Sequence, residues 1–314
     1  MLHTRATYVA TAFVTVLAFT ATTASSASAR SIVDYWPRET VYALGPSGSY
    51  VAEWMGLSAG WTTIGGAAED LSGGSAGLFA IDPTSGDISQ YNGTPGSWTE
   101  IGGPGSEFVQ NDGHLYGLGP GGKYVAEWNG TPNSWTVIGG PAGNIYGGGD
   151  GLVATSPGTG YTGNVYYYNG TPGSWTDIGA TGQSFAIGPS AIYRLNFDEE
   201  SISQWDGGTT WTSIGTPSGE PVSINTVGDE GLIIQDGFND DDLKYNGTPG
   251  SWTEIGSGYG VGSPAADAES LTSVYGIKFA NSSETTVEIY LYSGSGTNWT
   301  LIGAPSSPVL AAED

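Results

Sequence analysis

Two kinds of residue in this chain have the chemistry to recognise a ligand: clustered carboxylates, and aromatic rings set beside amides. Asn239-Asp240-Asp241-Asp242 and Asp198-Glu199-Glu200 each gather several oxygen-bearing side chains in one short segment. Hard cations take oxygen ligands, which makes Asp240, Asp241 and Asp242 candidate calcium ligands. A pair of carboxylates flanking a glycosidic bond would instead serve as acid and nucleophile of a hydrolase. These acidic groups follow no repeated rule, and a solvated acidic loop is the plainer reading of both segments.

The aromatic set does follow a rule. Tyr91-Asn92, Trp128-Asn129, Tyr168-Asn169 and Tyr245-Asn246 are each followed by glycine, and Trp205-Asp206 by Gly207. An aromatic face stacks on the C–H face of a sugar, while a neighbouring amide or carboxylate bonds its hydroxyls. Asn-Gly is also a common hairpin turn, so the same residues have a purely structural reading. The Asn-Gly-Thr blocks match the N-glycosylation acceptor pattern as well, a weak signal where a turn repeats.

Other chemistries find no support. His114 is the one histidine outside the first residues and cysteine is absent, which excludes His/Cys zinc sites. No nucleophile elbow precedes a triad, and the glycine runs lack the lysine and helix of a phosphate loop. The chain is expected not to be an enzyme and to require no cofactor, calcium being the one ion the acidic loop would take.

The elements that position these residues come from a repeat. A Trp-Thr-x-Ile-Gly block begins at Trp61, Trp98, Trp135, Trp175, Trp211, Trp252 and Trp299, in steps of 37, 37, 40, 36, 41 and 47 residues. Periods of this size signal stacked or radial structural units. Residues 106–140 read as four short strands divided by Asp112-Gly113, Gly119-Pro120-Gly121-Gly122 and Asn129-Gly130-Thr131-Pro132, with no room for a helix. Trp and Ile of the fourth strand fall on opposite faces, and both recur, so both faces of each sheet should be covered. The variable residue before Ile should lie near a rim. Seven four-stranded sheets covered on both sides describe an all-β fold, a seven-bladed β-propeller of four-stranded antiparallel blades. A solenoid would need polar caps that the chain does not show. Either Ile32–Tyr35 or the tail at Pro308-Val309-Leu310 is placed to close the ring.

Residues 1–29 have the layout of a secretory signal peptide: Arg5, an apolar stretch from Tyr8 to Phe19, and a small-residue tail ending at Ala29. Residues 30–314 then form a single repeat domain, secreted and extracellular, with no transmembrane segment and expected to be a monomer. The 31 acidic and 7 basic side chains give a net charge of -24, which repels nucleic acid and anionic membranes. A secreted chain without disulfides must rely on ordinary burial, which 11 Trp and 18 Tyr can supply.

The seven Trp-x-x-Ile-Gly elements, from Trp61–Gly65 to Trp299–Gly303, resemble those of the tachylectin-2 family, and the whole resembles a bacterial secreted propeller lectin. That family binds N-acetylated sugars between its blades. The resemblance implies a multivalent lectin whose partners are glycans such as N-acetylated sugars or cell-surface polysaccharide. The family continues after Ile-Gly with a Trp- and Phe-rich segment, where this chain has Gly-Pro or Gly-Ala, so no binding residue is carried over. The alternatives are a non-catalytic propeller scaffold for protein or cell-envelope interaction, and a polysaccharide-active hydrolase using carboxylates.

Overall fold

The computed structural model describes residues 40–158, 163–197, 201–215, 221–227, 231–237, 239–259, 273–279, 287–303, 305 and 310–313. The signal-peptide region, Ile32–Tyr35 and Asp198–Glu200 lie outside these residues. Trp36–Asp314 is one compact unit.

Among the described residues all regular structure is β, apart from two short 3-10 turns. The first sheet contains β1 (Thr40–Leu44), β2 (Val51–Trp54) and β3 (Trp61–Gly65). The second is the meander β4 (Asp70–Ser72), β5 (Phe79–Ile81), β6 (Ile88–Tyr91) and β7 (Trp98–Gly102). The third is β8 (Glu107–Asn111), β9 (His114–Leu118), β10 (Val125–Trp128) and β11 (Trp135–Gly139). Two further meanders share one sheet: β12 (Ile145–Gly148), β13 (Gly151–Thr155), β14 (Asn164–Tyr168), β15 (Trp175–Ala180), and β16 (Ser184–Ile187), β17 (Ile192–Leu195), β18 (Ile202–Gly207), β19 (Thr210–Ser213). Next come β20 (Pro221–Val227), β21 (Gly231–Asp236), β22 (Asp241–Tyr245) and β23 (Trp252–Ser257), then β24 (Tyr275–Phe279), β25 (Val287–Tyr292) and β26 (Trp299–Gly303). The last strand, β27 (Leu310–Glu313), returns to pair antiparallel with β1, Val41 opposite Ala312. Ring closure therefore uses the C-terminal strand.

This corrects the expected seven separate four-stranded blades. The described residues form six sheets: four of four strands, one of three and one of eight. The eight-stranded sheet arises where β12 and β16 come side by side and make one parallel pairing, Gly148 with Ile187. On its other side β12 comes close to β8, where a Cβ on Gly147 would collide with the Gln110 carbonyl oxygen. The chain is a propeller-like assembly of small antiparallel sheets, without a uniform blade.

The first strands touch in succession: β27 against β4, β4 against β8, β8 against β12, β12 against β16, and β16 against β20. The second strands carry the deepest core, with Val41, Phe79, Val153, Ile192, Ile233 and Tyr275 all at 0% exposure. On the fourth strands every motif Ile is buried, from Ile64 to Ile302, while the residue before it is exposed, Val137 at 59% and Leu301 at 47%. Trp61–Ile64 and Trp299–Ile302 run half-buried, exposed, exposed, buried, so the variable residue faces solvent and is free to vary. Among the described residues no helix is long and apolar enough to cross a membrane.

Candidate functional site

The seam between repeats explains the motif. The indole Nε1 of each motif Trp donates to the Ile carbonyl of the preceding repeat: Trp98 to Ile64 at 3.0 Å, Trp135 to Ile101 at 2.9 Å, Trp175 to Ile138 at 2.8 Å, Trp211 to Ile178 at 2.7 Å and Trp299 to Ile255 at 2.7 Å. Three of these carbonyls also accept the backbone N–H two residues before the Trp: Ile64 from Gly96 at 2.7 Å, Ile101 from Asn133 at 2.8 Å and Ile138 from Gly173 at 2.8 Å. The glycine after Ile is where the next indole lies. A Cβ on Gly102 would stand 2.7 Å from Trp135 Nε1, and one on Gly65 3.0 Å from Trp98 Nε1. Trp252 departs from the rule. Gly250 N still donates to Ile214 O at 2.8 Å, but the buried Trp252 Nε1 has no partner among the described residues.

The aromatic-Asn turns are built into the same framework. Each third-strand ring sits directly across from a motif Trp, as Tyr91 from Trp98, Trp128 from Trp135, Tyr168 from Trp175, Trp205 from Trp211 and Tyr245 from Trp252. Each also meets a ring of the neighbouring repeat, for example Phe79 with Trp128 edge-on at 5.7 Å and Tyr116 with Tyr168 at 6.2 Å. The amides turn inward to their own hairpins. Asn129 Nδ2 donates to Ser134 Oγ at 3.0 Å, and its Oδ1 accepts from Thr136 Oγ1 at 3.0 Å. Asn92, Asn169 and Asn246 make the same pair of bonds, to Ser97 and Thr99, Ser174 and Thr176, and Ser251 and Thr253. Asp206 is exposed on β18. The five pairs occupy five different hairpins and do not converge.

The acidic triplet is spread out by strand geometry. Asp240 is exposed, with φ 57°, and Asp241 and Asp242 point to opposite faces of β22. Asp242 is fully buried just before a bulge, and its Oδ2 accepts from Tyr259 N at 3.0 Å while Oδ1 has no partner among the described residues. Burial pushes its carboxyl up to about 7, against the opposing pull of the Tyr259 N–H and Lys278. Glu107 is likewise pushed up to about 7 by burial, although its Oε2 accepts from Ile145 N at 2.8 Å. Among the described residues no group of three or more His, Asp or Glu side chains is placed to hold a metal ion. His114 is exposed at the start of β9, its Nδ1 2.7 Å from Glu127 Oε1.

Concavity occurs elsewhere, at equivalent points of consecutive repeats. One cleft of about 330 Å³ has Trp135 on its wall with Phe108, Gly103, Gly117 and Tyr124. A second, of about 270 Å³, has Trp175 with Gly140, Ala154 and Tyr166. Gly103 and Gly140 both follow an Ile-Gly pair, and Gly117 and Ala154 pair with Ala126 and Tyr166 in the same register. Residue-type reasoning missed these clefts because they are lined mainly by glycine, alanine and proline, and take their form from the gap between strands. The signal present in the sequence was the single aligned position occupied by Gly117, Ala154, Arg194 and Gly276.

No protein-family model matches the chain, and no curated protein matches it. Solved structures share its fold. The crystal structure of Citrobacter koseri AztD aligns with TM-score 0.55 at 11% identity, covering 88% of this chain and 98% of that one. YCF48 bound to D1 peptide aligns with TM-score 0.52 at 11% identity, covering 85% and 86%. A Mycobacterium tuberculosis puromycin-hydrolyzing peptidase aligns with TM-score 0.57 at 10% identity, covering 87% of this chain and 54% of that one. At these identities the likeness is one of fold.

Proposed function

We infer that this chain is a non-catalytic interaction scaffold that holds a polypeptide partner outside the cytoplasm. The observation that carries this reading is the pair of equivalent Trp-walled clefts on consecutive repeats, at Trp135 and Trp175. Repeated, shallow and partly apolar recesses suit several side chains of one extended ligand, whose separate weak contacts add through avidity. A similar fold engages a peptide in YCF48. The leader-like residues 1–29 support export. The hairpin amides favoured for sugar recognition already bond within their own turns, which weighs against the lectin reading.

Parallel peptide and glycan arrays probed with the purified chain test this function. Saturable binding to a subset of peptides with a blank glycan array is expected. Saturable binding to a sugar alone would overturn it, and polysaccharide turnover would replace it with the hydrolase reading.

A further inference from the structure

Two of the Trp-walled recesses are already filled by the protein itself, and their contents identify what the open ones accept. Arg194 lies over Trp211, with its guanidinium carbon 4.5 Å from the ring centroid. Its Nη1 donates to the Ala180 carbonyl at 2.6 Å, and its Nε to Asn196 Oδ1 at 2.8 Å. Beside that indole stands Phe185, ring centroids 6.1 Å apart. At Trp299 the occupant is Tyr259, stacked at 4.3 Å and 13°, with Lys278 Nζ 3.4 Å above the tyrosine ring. Both filled recesses therefore carry a cation on an aromatic surface.

The open cleft at Trp135 has the two aromatic walls of the Arg194 recess without the arginine. Phe108 stands 6.1 Å from Trp135, the separation of Phe185 from Trp211. Gly103 follows Ile101-Gly102 as Ala180 follows Ile178-Gly179, which places a backbone carbonyl at the same point of the repeat, on a backbone that lacks the φ of 116° at Gly179. Gly117 occupies the register position of Arg194: it faces Ala126, as Arg194 faces Ser203, two residues before the aromatic that pairs with the motif Trp. The arginine is missing there, and so is its Nε acceptor, since Gly119 stands where the Arg194 repeat has Asn196. The cleft at Trp175 is the corresponding recess with Ala154 at that position and Ile145 where the other two have phenylalanine.

We propose that the clefts at Trp135 and Trp175 receive arginine side chains of a partner polypeptide, each guanidinium lying over the indole with the Gly103 or Gly140 carbonyl as acceptor. This deepens the scaffold reading and rests on it. A planar, weakly hydrated guanidinium is suited to stacking on an indole while it donates in its own plane. Charge complementarity favours it further, since 31 acidic against 7 basic side chains draw a basic ligand to the surface.

The test is an NMR titration of the ¹⁵N-labelled chain with the peptide acetyl-Gly-Arg-Gly-amide, read at the tryptophan indole N–H signals. Lysine and citrulline versions of the peptide are run in parallel. Saturable shifts at Trp135 and Trp175 are expected with arginine, several-fold weaker ones with lysine, and none with citrulline. Gly117→Arg should abolish the Trp135 response and leave that of Trp175. Arg194→Ala should add a third response, at Trp211. Equal shifts with citrulline, or no saturable shift at Trp135, overturns the proposal, as does a folded Arg194→Ala protein silent at Trp211. Should either variant fail to fold, the three-peptide comparison on the unaltered chain decides alone. Peptide-array binding without any arginine response would leave the scaffold function standing and remove the guanidinium assignment.

Discussion

Trp61 donates its indole N–H to the Ile302 carbonyl at 3.0 Å, across 241 residues of sequence. It is the same bond that five other motif Trp residues make to the preceding repeat, here joining the first motif to the last. A Cβ on Gly303 would stand 2.7 Å from Trp61 Nε1, so the last glycine of the motif receives the first indole as Gly65, Gly102 and Gly139 receive theirs. Together with the pairing of β27 on β1, this makes the repeat array circular.

Trp61→Phe removes the donor while keeping most of the ring. The expected loss is about 1–2 kcal/mol in urea unfolding, the usual range for a partly buried hydrogen bond. Ending the chain after residue 309 should cost more, because it removes β27, strips cover from the fully buried Val41 and Ala43, and leaves β1 as an exposed edge prone to association. Light scattering of the truncated chain would reveal that association, and a monodisperse protein of unchanged stability would count against closure.

Gly102→Ala and Gly66→Ala separate the seam from ordinary glycine loss. At Gly102 the new methyl meets Trp135, whereas at Gly66 nothing lies within 4 Å. Overpacking predicts a loss of roughly 1–3 kcal/mol for the first, and little change for the second. Similar unfolding midpoints for the two variants would show that the indole does not rest on that glycine.

Asn129→Ala should destabilise the chain by about 0.5–1.5 kcal/mol, because Ser134 and Thr136 both lose their partner. Chemical denaturation measures this directly. An unchanged midpoint would mean that the amide contributes nothing to its own turn.

Stability should fall as the pH rises from about 4 to 7. Asp242 and Glu107 both have folded-state values of about 7, above the ordinary carboxylate range. Between the two ranges the folded chain holds protons that the unfolded chain has released, so unfolding is progressively favoured, and the trend ends once the folded groups ionise. Asp242→Asn should flatten the profile and raise stability at pH 8 by about 1–3 kcal/mol. A wild-type profile that climbs between pH 4 and 7 would oppose these assignments.

The parts of the fold legible in the sequence are those written in local chemistry. The turn at Asp112-Gly113 has φ of 45° and 75°, as its residues suggest, and the four strands of residues 106–140 fall within a residue or two of their expected places. Fusion of two meanders through Gly148 and Ile187 depends on how close distant segments approach, which no local pattern encodes. Asn92, Asn129, Asn169 and Asn246 looked free to meet a ligand because the Ser and Thr that accept or donate to them lie five and seven residues onward, across the hairpin. Arg194 read as an ordinary strand residue. Its meaning came from the ring beneath it and from the glycine and alanine that take its place in the neighbouring repeats.

Hydrogen exchange of the tryptophan indole N–H groups tests the circular seam most directly. Trp61 should exchange as slowly as Trp98, Trp135 and Trp175, because all four donate to the same kind of interior carbonyl. A Trp61 indole that exchanges at the rate of an exposed side chain while the other three stay protected would contradict the closure of the ring.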